Sequence, residues 1–296
     1  MNWQQYDLVF RLLTPMHIGW RKTSNLQQTR GYVTGKIFWA ALTARLTREA
    51  EQGANGKAYI ATGNLVQDNF RATGNLVQDN FRATGNLVQD NFRFTYLYPA
   101  TQNGNGYKTH YPWEDDFDYL FLDSYTSAAL NYDNQSTEDG LLHETEFIAP
   151  HTRRNQPVYL CGSIYVKETA VTTDNTLKNW QTALDKLQFG GERGYGWGRI
   201  KVIRCHKKAK IKSDKVQVEI VSKGHITAHL ETENSSNISG AIEPLIGWER
   251  NNNENAKSNW KLSKKAEICY APGAISYEKS TFTIGNNGLW QQVQLS

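Results

Sequence analysis

The densest apolar run near the start of the chain, Tyr6–Leu13 (YDLVFRLL), has the length of a strand and is closed by Thr14-Pro15, so the sequence opens on a buried strand. After a polar loop the period changes. In IFWAALTARLTR (Ile37–Arg48), Ile37, Ala40, Ala41 and Ala44 fall on one stripe with Leu42 and Leu46 beside it, which predicts a helix. Arg45 and Arg48 share a face of that helix that can point away from the core. Farther along, YLCGSIYVK (Tyr159–Lys167) alternates as a strand does, and TLKNWQTALDKL (Thr176–Leu187) is amphipathic behind the capping candidates Asp174 and Asn175. A glycine-rich loop then runs straight into a strand at Arg199–Arg204. KVQVEIV, HITAHLE and KAEICYA, short β-like segments between polar turns, predict a smaller β-rich C-terminal module over 206–296, behind an α+β domain over 1–205.

Between the first helix and the second strand the unit ATGNLVQDNFR occurs three times without a change, at 61–71, 72–82 and 83–93. A solenoid calls for longer units that diverge where they cap or contact neighbours. Perfect short copies read instead as a tandem duplication accepted in an exposed insertion at about 50–140, with a repeat fold or a ligand-binding array as the alternatives. From Phe94 to Asn155 the pattern is irregular, with the turn QNGNGYK and the aromatic-acidic stretch WEDDFDYLFLDSY.

Composition narrows the class. A chain of 296 residues with 39% hydrophobic and 21% charged residues can bury a full core and is not a disordered composition. No stretch approaches the roughly twenty apolar residues that cross a bilayer, and MNWQQYDLVF lacks the regions of a secretory signal, so the expected location is the cytoplasm, with no membrane partner. Cys161, Cys205 and Cys269 lie far apart and form no CxxC or Cys/His pair, which reads as small core residues and leaves neither a zinc site nor a disulfide framework. The net charge of +4 permits a polyanionic partner without requiring one. Its placement says more: positive charge is dense over Arg21–Arg48, Arg193–Lys215 and Lys257–Lys265, which favours a nucleic-acid surface.

The candidate chemistry lies in two places. FGGERGYGWGR interleaves Gly190, Gly191, Gly194, Gly196 and Gly198 with Arg193, Tyr195, Trp197 and Arg199. Glycines let a backbone approach a phosphate-sugar chain, arginines supply charge, and aromatic rings stack on unpaired bases. A dinucleotide fingerprint is excluded because its glycines follow a strand and open a helix, the reverse of the order here. A plain structural turn is the alternative. The second place is LTPMHIG, directly after the first strand, followed by a basic polar loop and by YVTGK at the helix start.

Together LTPMHIG, YVTGKIFWAAL and GGERGYGWG resemble, in order and position, the motifs of the RAMP superfamily of CRISPR-associated proteins. Those proteins end a strand in a hIG-like turn, start a helix at a yIPGsslkGalR-like stretch and finish on a glycine-rich loop. GAIEPLIGWE and YAPGAI are similar to parts of the RAMP proteins of type III-D systems. The resemblance covers 6–49 and 141–204 well, 206–296 loosely and 50–140 hardly at all. It implies a ferredoxin-like (RRM-like) βαββαβ core, with GLLHETEFI among its middle strands, and a non-catalytic backbone or cap subunit of a type III effector complex. The implied partners are guide RNA, target RNA, other RAMP subunits and a large polymerase-like CRISPR subunit; no cofactor or metal is implied. Gly35 and Lys36 fall on the helix-start motif, Gly190 to Arg199 on the glycine loop, and His17, Arg21, Lys22 and Arg30 in the loop that faces RNA in many relatives. Arg45 is a further RNA-contact candidate, and each of these cations has a solvated surface charge as its alternative.

Target-cleaving relatives carry an aspartate in the loop after the first strand. Here that loop reads HIGWRKTSNLQQTRG (His17–Gly31), with no acidic residue. His17 and His151, the latter followed by Arg153 and Arg154, remain the candidates for a general base, which would make the chain a metal-independent endoribonuclease. A third alternative is a β-rich interaction module with a merely structural loop. Glu114, Asp115, Asp116 and Asp118 match no EF-hand spacing and read as a solvated or subunit-contact turn.

Overall fold

The first strand, β1 (Trp3–Leu12), buries Leu8, Phe10 and Leu12 on one face, as its alternation demands. The computed structural model describes residues 2–55, 83–131, 133, 136–137, 142–233, 235–245, 248–250, 260–262 and 267–293. Helix α1 (Gly35–Asn55) starts where Thr34 turns the chain: the Thr34 carbonyl accepts from Phe38 N–H at 3.1 Å, and its Oγ1 faces Ile37 N–H at 3.4 Å. Phe38, Leu42 and Leu46 of α1 pack with Leu8, Phe10 and Leu12 in one core cluster.

Five more segments complete this layer. They are β4 and β5 (Phe92–Phe94 and Tyr98–Asn103), β11 (Tyr159–Lys167), the helix Trp180–Leu184, and β12 (Ile200–Ile211), while β6 (Gly106–Thr109) extends the edge. The sheet order is β12-β1-β11-β5-β6 with β4 also on β11, all antiparallel, which is the βαββαβ layout. Trp180, Ala183, Leu184 and Leu187 join the cluster that α1 enters, so both helices cover one face of the sheet. The expected α+β class and ferredoxin-like core therefore hold, and the described residues contain no helix long and apolar enough to cross a membrane.

Three details differ from the sequence reading. HETEFI (β10, His143–Ile148) is not a core strand. With β2 (Gly19–Thr23), β3 (Leu26–Thr29) and β7 (Leu122–Ser127) it builds a separate sheet of order β2-β3-β10-β7, and β8 (Leu130–Asn131) pairs with β9 (Ser136–Thr137) between β7 and β10 in the chain. The middle core strand comes instead from β4 and β5, within the stretch read as insertion. It is broken at Thr95–Leu97, where Leu97 bridges Val33, and it crowds β11 so closely that a Cβ on Gly162 would meet Leu97 and the Tyr96 carbonyl.

Second, the third repeat copy is part of the core. Residues 83–91 are helical, Val88 and Phe92 are fully buried, Trp39 Nε1 donates to the Gly85 carbonyl at 3.1 Å, and the Arg93 guanidinium lies 5.0 Å over the Trp3 ring. The first two copies lie outside the described residues. Third, β12 continues past Arg204 to Ile211, and the chain divides into two compact units, Met1–Asp214 and Lys215–Ser296.

The second unit is a set of short strands. Its largest sheet holds Gln217–Ile220, Ser280–Ile284, Trp290–Gln292, Leu230–Glu231, Glu267–Tyr270 and Ile242–Leu245, in that spatial order. Phe282 and Trp290 stack at 5.4 Å in its interior, and buried His229 pairs through Nε2 with Glu243. The three cysteines are unpaired thiols, and burial pushes Cys161 and Cys269 up to about 12 and Cys205 to about 11, which keeps all three protonated near neutral pH.

Candidate functional site

The two motifs that stand far apart in sequence lock onto each other. Leaving β1, the chain runs through Thr14-Pro15 to Met16, which bridges Ile148, and the glycine-rich loop is laid along this segment. Gly198 N–H donates to the Pro15 carbonyl at 2.7 Å, Gly191 N–H to the His17 carbonyl at 2.8 Å, and Arg199 N–H to Thr14 Oγ1 at 2.9 Å. Thr14 Oγ1 in turn donates to the Gly196 carbonyl at 3.0 Å. The loop closes on itself as Phe189 N–H reaches the Gly198 carbonyl at 2.9 Å and Gln188 Nε2 the Trp197 carbonyl at 2.6 Å.

Two glycines are there for contact. Gly190 (φ +83) and Gly198 (φ +74) lie in the left-handed region, and a Cβ would overlap the His17 carbonyl at Gly190 and the Phe189 carbonyl at Gly198. Gly194 and Gly196 face open space, so between them the loop offers bare backbone to the outside. Arg193 and Arg199 are exposed, and Tyr195 at the tip is 84% exposed, which leaves its ring free for a planar ligand.

Trp197 differs from the sequence reading of four equivalent interleaved residues. Its ring packs edge-on against Phe147 of β10 at 5.1 Å and stands 6.4 Å from Tyr125 of β7, so it clamps the loop to the second sheet. His17 is buried, and its Nδ1 lies 2.7 Å from the Glu146 carbonyl. A carbonyl only accepts, so Nδ1 carries the proton and the imidazole is held in one tautomer. Glu146 also takes Thr29 N–H on its carboxylate at 2.8 Å, and Thr29 Oγ1 accepts from Ile18 N–H at 2.8 Å. The ring of His17 thus orders the start of the basic loop, and among the described residues no hydrogen bond joins it to a carboxylate.

The remaining candidates scatter. Arg21 and Lys22 lie on β2, whose residues are all exposed, with the Arg21 guanidinium 4.1 Å over the Trp20 ring. Arg30 donates to Tyr32 Oη at 2.9 Å. Gly35 is buried at the start of α1 and Lys36 is exposed beside it. Arg45 is engaged by Glu49 through Nε at 3.0 Å and Nη2 at 2.9 Å, and Lys186 reaches the same oxygen at 3.1 Å, which ties α1 to the segment after the second core helix. His151 is exposed in a bridge with Pro157, and neighbouring Arg153 pairs with Asp123 at 3.2 Å. Glu114 of the acidic turn pairs with His110 at 3.1 Å, and among the described residues no group of three or more His, Cys, Asp or Glu side chains is placed to hold a metal ion.

No family model matches the chain, and no curated protein matches it. Among solved structures it is similar to a chain of the cryo-EM structure of the Type III-B Cmr-beta bound to cognate target RNA and AMPPnP, at 12% identity over 91% of this chain and 85% of that one, with a TM-score of 0.42. A second similar chain comes from the cryo-EM structure of the Type III-B Cmr-beta bound to cognate target RNA, at 12% identity over 70% of this chain and 61% of that one, with a TM-score of 0.37.

Proposed function

We propose that this chain is an RNA-binding subunit of a type III CRISPR effector complex that holds guide RNA against the glycine-rich loop and the Thr14–Gly19 segment without cutting it. The observation that carries this reading is the lock between the two segments that resemble RAMP motifs. It spends Gly190 and Gly198 on close packing and leaves Gly194, Gly196, Arg193, Tyr195 and Arg199 on the outside. An open backbone, cations without an ion-pair partner among the described residues and one bare aromatic ring are the elements that hold single-stranded RNA by charge, stacking and shape. Neighbouring subunits and target RNA are the further partners that the resemblance implies.

Arg193→Ala and Lys36→Ala are each expected to weaken binding of a labelled single-stranded RNA and to lower the slope of log affinity against log salt by about 0.7, one phosphate contact on a single strand. Fluorescence anisotropy over a salt series measures both. Unchanged slopes in the two variants would remove the loop from the RNA path.

The geometry at His17 disfavours the endoribonuclease reading, because His17 is buried and its ring bonds a backbone carbonyl, while exposed His151 sits beside Arg153, which is paired with Asp123. His17→Ala is expected to leave every cut made by the assembled complex on target RNA in place. A cleavage ladder that loses one band in the variant, with assembly and RNA binding intact, would make the chain a nuclease.

A further inference from the structure

The face of the main sheet turned away from the helices carries positive charge that nothing in the described protein neutralises. Strand alternation puts Leu8, Phe10 and Leu12 of β1 under the helices and therefore Asp7, Val9 and Arg11 on the other side. The register then fixes three cross-strand rows there: Arg11 between Tyr159 and Lys201, Val9 between Cys161 and Arg204, and Asp7 between Ser163 and His206. Arg11 and Lys201 are thus directly opposite, a pairing of like charges that destabilises an antiparallel ladder. Arg204 adds a third cation one row on, roughly 7 Å along the strand.

The other lysines of β12 are engaged elsewhere. Lys207 and Lys210 pair with Glu168 at 2.5 and 3.1 Å, and Lys208 pairs with Asp7 at 3.0 Å. Asp7, the carboxylate in the third of these rows, also accepts from Ser163 Oγ at 2.8 Å and Gln5 Nε2 at 3.0 Å. Burial alone would raise its pKa, but the bonds from Lys208, Ser163 and Gln5 outweigh that and hold it below the usual range. Its charge is therefore matched by Lys208, and among the described residues no ion pair joins a carboxylate to Arg11, Lys201 or Arg204. Lys201 and Arg204 are exposed, and the Arg204 guanidinium stands 5.6 Å over the Tyr107 ring, itself edge-on to Tyr159 at 4.7 Å. By the same alternation Arg199, at the end of the glycine loop, leads into this face.

We propose that the cationic rows Arg11/Lys201 and Arg204 form a second track for single-stranded RNA, continuous with the glycine loop through Arg199, so that the strand passes from the loop onto the exposed β12 edge of this face. This rests on the RNA-binding reading above and extends its path. Repulsion between Arg11 and Lys201 is relieved by a polyanion laid over both, and the planar Arg204 guanidinium standing over Tyr107 beside them favours a ligand with planar bases over an acidic protein.

The test compares the full-length wild-type chain, Lys201→Gln and the triple variant Arg11→Gln/Lys201→Gln/Arg204→Gln in binding a labelled oligouridylate over a salt series, with thermal melting alongside. The triple variant is expected to lose about 2 from the log–log salt slope and about tenfold or more in affinity at moderate salt, and Lys201→Gln about one third of that slope change. Both variants should melt at or above the wild-type midpoint, because a repulsive pair is gone. A triple variant with wild-type slope and affinity, in a chain whose Arg193→Ala variant loses both, overturns the second track alone. A wild-type chain with no salt-dependent RNA binding overturns the reading beneath it as well. Polyglutamate that displaces the RNA from wild type, and fails to bind the triple variant, would assign the face to an acidic protein instead.

Discussion

Excision of residues 61–93, all three copies of the repeat, is expected to abolish folding of the first unit, whereas excision of 61–82 is expected to leave it folded. The copies are identical, so removing any two adjacent units yields the same chain, with one copy joined to Phe94. That copy supplies buried Val88 and Phe92, the helix whose Gly85 carbonyl receives Trp39, and the strand residues Phe92 and Arg93 paired with Val166 and Tyr165. Losing Phe92 alone is worth about 3–5 kcal/mol. Losing the helix and two of the three β4 residues with it exceeds what a domain holding about 5–15 kcal/mol in total can absorb.

The shorter excision changes only the connection from Asn55 to residue 83, from 27 residues to five. Shortening lowers the loop-closure entropy by about 1.5 kcal/mol. Against this, Gly85 packs beside Trp39 and Thr43, so the chain must travel back along α1 by roughly 18 Å at 1.5 Å per residue. Five residues barely reach. The last turn of α1, with Gly53 in it, unwinds at small cost to supply the difference. Circular dichroism and thermal unfolding of the two excised chains decide the matter. A cooperative, wild-type-like melt from the chain lacking 61–93 would show that the repeat helix is dispensable.

Why the repeat was misread from sequence is physical. Three perfect copies carry no mark of which one packs, and Val88 and Phe92 are apolar in each of them. What singles out the third is its covalent neighbour Phe94, which pairs with Ile164 in β11. The apolar run FTYLYPA that follows was the available signal for the middle strand, but the break at Thr95–Leu97 interrupts its alternation. β1 and α1, in contrast, were legible because a single period runs through each and both bury one face. HETEFI alternates as well, yet alternation does not say which sheet a strand joins, and it joined β3 and β7.

The site was legible in the same measure. LTPMHIG and FGGERGYGWGR stood out because their glycines are placed where two backbones meet, and such a demand shows in sequence. Residue types did not reveal that Trp197 would find Phe147 or that Glu49 would claim Arg45. The row Arg11/Lys201 could not be read at all. Each residue alone is an ordinary surface cation, and only the pairing register of β1 with β12 sets them opposite each other.

Alanine substitutions along the glycine loop are expected to form a graded series that separates packing from ligand contact. At Gly194 the backbone is not left-handed and nothing lies within 4 Å, so Gly194→Ala should fall within about 0.5 kcal/mol of wild type. Gly196 (φ +82) also faces open space and pays only for the left-handed conformation, about 1–2 kcal/mol. Gly190 and Gly198 carry that strain plus an overlap with a backbone carbonyl. At Gly198 the carbonyl belongs to Phe189, which is fully buried, hydrogen-bonded back to Gly198, and packed 5.6 Å from Phe38 and 6.0 Å from Phe10. It cannot retreat without opening the core, so Gly198→Ala should destabilise by about 3 kcal/mol or more. Gly190→Ala presses on the His17 carbonyl that Gly191 N–H binds and should do similar damage while freeing the loop from Thr14–His17. Both variants are expected to lose RNA affinity together with stability, whereas Gly194→Ala, which places a methyl on the open backbone offered to RNA, is expected to lose affinity alone. Chemical denaturation paired with RNA anisotropy reads the series, and a Gly198→Ala chain as stable as the Gly194→Ala chain would refute the backbone lock from which the functional reading is built.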